Sequence, residues 1–125
     1  DLHYNIGVIN MQQGNIAEAR KGFEQALKIK PKYPEAALNL STTYINEGNG
    51  LIEEMNKLGN SAADIKKFNE LKAQKETLFK KGAEVLENYT KANGNDNSIL
   101  EQLKNIYGAL GDSANFQRLK KLLGQ

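Results

Sequence analysis

Three glycines, each followed by a residue able to cap a helix, punctuate this chain: Gly14-Asn15, Gly48-Asn49 and Gly111-Asp112. Each pair follows an amphipathic run, so each reads as a turn in which a glycine takes a left-handed conformation and the next side chain starts a new helix. The first two lie 34 residues apart, and the last two 63 apart. Self-similarity at such a period is the signature of stacked helix-turn-helix units, and three units are predicted. The rest of the sequence agrees, because only two prolines, Pro31 and Pro34, interrupt it and no segment alternates apolar and polar residues as a half-buried strand would. The predicted class is all-α.

The first unit carries a fuller pattern. Tyr4, Ile6-Gly7, Gly14, Ala19, Phe23, Ala26 and Pro31 follow one another at spacings in which small residues let two helices approach while Phe23 fills the space between them. In order and spacing this unit resembles the tetratricopeptide repeat family. The second unit keeps Leu40, Tyr44 and Gly48 but has Ser41 at the position of the glycine; the third shows Leu100, Leu103, Tyr107 and Gly111. The resemblance implies an α-solenoid of antiparallel helical hairpins that acts as a non-catalytic scaffold for another protein or peptide. One domain over 1–125 is expected, divided into units 1–33, 34–95 and a capping unit 96–125.

The 63-residue interval between Gly48 and Gly111 exceeds one repeat by 29 residues. These residues do not read as a loop. The apolar stripe of the second unit continues past Gly48 through Leu51, Ile52, Met55 and Leu58 to a stop at Gly59-Asn60. Ser61 with Asp64 then forms an N-terminal cap signal, and a second long helix is predicted over 62–92. Facing residues of an antiparallel hairpin have nearly constant index sums. Leu58 with Ile65, Met55 with Phe68, Leu51 with Lys72 and Tyr44 with Phe79 all sum to 123. The middle unit is thus expected to extend into a two-helix arm, with a kink or flexible joint where Gly48 and Gly50 face the polar stretch 72–75.

The chemistry available is limited. His3 is the only histidine and there is no cysteine, so zinc and thiol catalysis have no ligand set or nucleophile to use, and no metal, cofactor or catalytic residue is expected. Gly48-Asn49-Gly50 lacks the lysine and hydroxyl residue of a phosphate-binding loop. Lysines at 66, 67, 72, 75, 80 and 81 make one helix basic, but Asp64, Glu70, Glu76 and Glu84 interrupt them, and the whole chain has a formal charge of only +2. A solvated helix face, and no nucleic-acid partner, is the reading. No run of about 18 apolar residues is present for a membrane span.

Stacked hairpins form a concave surface from their first helices. On it, the residue before the Leu-Gly position is Asn5, Asn39 and Gln102 in the three units, a column of amides able to bond an extended peptide backbone. Tyr4, Val8, Met11, Thr42 and Ile45 are the expected groove neighbours. The resembling family's carboxylate clamp is absent, since Tyr4, Val8, Ser98 and Gln102 occupy several of its positions. A second surface is the apolar side of the first hairpin, including Leu2, Ile9 and Ile16, through which the chain is expected to self-associate or to meet a preceding repeat. The alternative function is a structural or oligomerisation segment. The start at Asp1 without methionine leads to the expectation of a longer precursor, and the asparagine- and lysine-rich loops are similar to those of bacterial, envelope-associated members of the family.

Overall fold

Side-chain caps define most of the helix starts. Asp1, Ser61, Asp96 and Asp112 each accept a hydrogen bond from the backbone N–H three residues on, at Tyr4, Asp64, Ile99 and Asn115. Such a bond satisfies one of the four N–H groups that a helix start leaves without a partner. The computed structural model describes residues 1–125 and consists of six helices: α1 (Leu2–Gln12), α2 (Ile16–Ile29), α3 (Pro34–Asn56), α4 (Ala62–Asn93), α5 (Asn97–Leu110) and α6 (Ser113–Leu122). Asn15 does not cap α2 with its side chain; its amide donates to Asn10 and Gln13 instead.

The helices pair as α1–α2, α3–α4 and α5–α6, and successive hairpins stack through α2 on α3 and α4 on α5. This is the predicted solenoid of three antiparallel hairpins with a lengthened middle one. At about 1.5 Å per residue, the 32 residues of α4 span about 48 Å and the 14 of α5 only about 21 Å. The outer part of the α3–α4 hairpin therefore extends beyond its neighbours as an arm.

Small residues set how closely the paired helices lie. A methyl group built on Gly22 would meet the backbone of Gly7 at 2.7 Å, and one on Gly7 would meet the Phe23 ring at 2.7 Å. In the second hairpin the fully buried Ser41 donates its hydroxyl proton to the carbonyl of Gly82 at 2.9 Å. That pair and Gly48 beside the carbonyl of Lys75 both obey the index sum of 123, so the register read from the sequence holds.

Two local expectations are corrected. Gly14 (φ +78°) and Gly111 (φ +71°) are left-handed turn residues, whereas Gly48 lies within the continuous helix α3 and has no positive φ. Its role is steric: an added methyl would stand 2.8 Å from the Phe79 ring, which occupies the space above it. The position expected to weaken the arm is thus a packed contact. Tyr44, paired with Phe79 by index sum, turns instead toward α2, where the Arg20 guanidinium lies 3.9 Å from its ring centroid.

The core has two parts. Ala19, Phe23 and Leu40 join the first hairpin to α3, and a larger group including Phe79, Leu86, Ile99, Leu103, Ile106 and Leu119 joins the second hairpin to the third. Leu119 of α6 is fully buried in the larger group, while Leu122 is about half exposed.

Gly22→Ala is expected to destabilise the fold by about 1–3 kcal/mol, because the methyl meets backbone that cannot yield. Gly50→Ala, exposed with nothing within 4 Å of the added methyl, is expected to stabilise it by about 0.5–1 kcal/mol. Urea midpoints of the two variants test both signs. Bonds from Asn115 hold the Asp112 carboxyl below its ordinary range, so this cap stabilises at neutral pH and is lost as pH falls through the depressed value. Acid titration followed by circular dichroism is expected to show helix loss with wild type at low pH that Asp112→Ala has already undergone in part at pH 7.

Candidate functional site

The junction between the first and second hairpins is organised by Arg20. It lies on the α2 face that also carries Ile16, Phe23 and Leu27, a spacing that aims it at α3. Its Nε donates to the Thr43 hydroxyl at 3.0 Å and one terminal nitrogen donates to the Thr43 carbonyl at 3.3 Å. The other terminal nitrogen pairs with Glu47 at 3.1 Å. Thr43 is buried, and its own hydroxyl donates to the Leu40 carbonyl at 2.6 Å. Arg20 was not singled out in the sequence, although an arginine at an apolar-face position is the signal that marks it.

The three amides are not equivalent. Asn39 donates to the Tyr4 hydroxyl at 3.0 Å, bonding α3 to α1. Gln102 donates to the Leu38 carbonyl at 3.1 Å and to the Thr42 hydroxyl at 3.3 Å, bonding α5 to α3. Asn5 is exposed and makes no side-chain hydrogen bond to either. The amide column thus connects consecutive hairpins, and the donors of Asn39 and Gln102 are already engaged within the stack. Tyr4 is likewise occupied, its ring 5.1 Å from that of Tyr33 and 5.7 Å from that of Phe23. Burial raises the Tyr33 phenol above its ordinary pKa, and the neighbouring Tyr4 and Glu35 add to the shift. Val8 and Met11 pack at the edge of the same small cluster.

Between α3 and α5 lies a groove of about 290 Å³ lined by Thr42, Ile45, Asn49, Phe79, Gln102, Asn105, Ile106 and Ala109. Of the residues predicted for the site, Thr42, Ile45 and Gln102 meet here, and Asn5, Asn39, Tyr4, Val8 and Met11 do not. Asn49, Phe79, Asn105, Ile106 and Ala109 were missed. Asn105 stands three residues after Gln102 and Asn49 four after Ile45, so helical spacing from the predicted residues reaches both. Phe79 enters from the second helix of its hairpin only because Gly48 leaves room for its ring.

The groove has an apolar floor and an amide rim, and no charged or titratable side chain lines it. No group of three or more histidine, cysteine or carboxylate side chains lies close enough together to hold a metal ion, and no helix is long and apolar enough to cross a membrane. Every buried side-chain nitrogen and oxygen has a hydrogen-bond partner.

Fold and groove together define a helical-repeat scaffold. The family model of the tetratricopeptide repeat matches residues 1–33, which coincide with the α1–α2 hairpin. The first hairpin is thus similar to a tetratricopeptide repeat, and repeats of this family generally mediate protein–protein interaction on a non-catalytic fold. No curated protein matches the chain.

Arg20→Ala removes bonds to a buried hydroxyl and carbonyl and is expected to cost about 1–3 kcal/mol; Asn39→Ala, losing one half-buried bond, about 0.5–1.5 kcal/mol. Chemical denaturation checks the order of the two. Equal or negligible losses would contradict the clamp described for Arg20.

Proposed function

We propose that the chain is a non-enzymatic scaffold that binds an extended segment of a partner protein in the groove between α3 and α5, the chain acting as one domain. The observation that carries this reading is the pairing of an apolar floor, made by Ile45, Phe79, Ile106 and Ala109, with the exposed amides of Asn49 and Asn105 at its rim. Amides there can donate to and accept from a peptide backbone, and the floor can receive an apolar side chain. Gln102 retains its carbonyl oxygen as an acceptor for a peptide N–H while its amide nitrogen holds α3. Thr42 and Ile45 line the same groove, whereas Tyr4, Val8 and Met11 pack against the cluster of Ala19, Phe23 and Leu40 between the first hairpin and α3.

A second reading, association through the outer side of the first hairpin, is favoured by the exposure there of Leu2 (71%), Ile6, Ile9 and Ile29. Four large apolar side chains on one hairpin form a patch of the kind that other chains cover.

The two readings separate experimentally. Peptides selected from a display library against the chain are expected to lose at least about tenfold in affinity, roughly 1.4 kcal/mol, on Ala109→Arg or Asn49→Lys, which fill the groove from exposed positions. Leu2→Asp is expected to leave that affinity unchanged. Selected peptides that bind Ala109→Arg and Asn49→Lys as well as the original chain, or that lose affinity only with Leu2→Asp, would remove the groove from consideration.

A further inference from the structure

The arm carries an apolar face that nothing in the chain covers. Ala109 and Leu110, at the end of α5, close a cleft of about 190 Å³ with Met55, Phe68, Lys72, Lys75, Glu76 and Phe79. On α4, positions 65, 68, 72 and 79 recur at helical spacing, so the face that seats α5 near Phe79 continues outward past the end of α5. There Phe68 remains 39% exposed and Ile65 53%, and Ile52 on α3 is 36% exposed. At the base of the hairpin the corresponding positions Ala83 and Leu86 are buried under α5. The outer part of the arm is built to take a third helix and has none.

The charges along this face choose the occupant. Proceeding from the tip, α4 presents an acid, Asp64, then the apolar pair Ile65 and Phe68, then a base, Lys72. A segment with an acid at one end and a base at the other is complementary to itself when reversed. Asp64 is partly buried and one carboxylate oxygen accepts from the Gly59 N–H at 2.9 Å, which leaves the other oxygen for a further partner. Lys72 makes no salt bridge within the chain.

We propose that the arm pairs with the arm of a second copy, the two α4 helices running antiparallel about a two-fold axis beside Phe68. In that arrangement Phe68 packs on its own symmetry mate, Asp64 of each copy stands opposite Lys72 of the other, and four helices enclose the strip that two leave open. The two bodies lie toward opposite ends of the pair, and the tip of each arm reaches the cleft beside Lys75 of the other. The inference stands independently of the peptide-binding reading.

Sedimentation equilibrium of the chain at submillimolar concentration is expected to give twice its mass of 13.9 kDa. Phe68→Glu is expected to give the monomer with unchanged helical circular dichroism. Lys72→Glu and Asp64→Lys, each placing like charges opposite each other, are each expected to weaken dimerisation about tenfold or more. Their equimolar mixture is expected to recover it, because in the mixed pair both contacts are again between opposite charges. This recovery needs no variant in the core and holds even if Phe68→Glu unfolds the arm. A monomer at every concentration, a dimer abolished by Leu2→Asp and untouched by Phe68→Glu, or a mixture no tighter than either charge variant alone would each overturn the proposal.

Discussion

Two helices lie only as close as the smallest side chains between them allow, and here that distance is set by a few glycines and one serine. Gly7 against Gly22 fixes the first hairpin, and Ser41 against Gly82 the second. Close approach brings Phe23 over Gly7 and Phe79 over Gly48, so each aromatic ring fills space that a single added methyl would remove. From these contacts follow the positions of the outer helix faces, the seat of each hairpin on the next, and the groove that Phe79 helps to floor. The polar bonds between hairpins, Arg20 to Thr43, Asn39 to Tyr4 and Gln102 to Leu38, can form only once that spacing is in place.

The fold was largely legible because helical hairpins write themselves locally. Ser61 with Asp64, the turn at Gly111-Asp112 and the constant index sum of facing residues depend on neighbours in sequence or on one register, and each can be checked within a segment. Gly48 shows where this stops. Glycine in a helix-turn-helix repeat has two uses, a left-handed turn and a close approach, and which one applies depends on what lies across the interface. A phenylalanine 31 positions later decides it.

The site was read less completely for the same reason. Position within the repeat led to Thr42, Ile45 and Gln102, which line one groove, but it could not say whether an amide there meets a ligand or the next hairpin. For Asn39 and Gln102 the next hairpin is within bonding distance, and an unsatisfied amide beside a half-buried carbonyl or phenol is costly, so the bond inside the stack forms. Three residues past Gln102, at Asn105, and ten past Asn39, at Asn49, the amides are exposed and line the groove.

The reach of α4 has a mechanical side. At its base the hairpin is held from both flanks, and Asn93 closes it by donating to the carbonyl of Pro31 at 3.1 Å, across 62 residues of chain. Near Gly59 only the two helices hold each other. Local opening free energy therefore declines along the arm from its root to its tip, and the segment can fray and re-form outward from a fixed support without disturbing the stack. Whatever engages the tip gains leverage on the root through a single helix, Ala62–Asn93, whose inner half packs beside the groove and whose outer half does not.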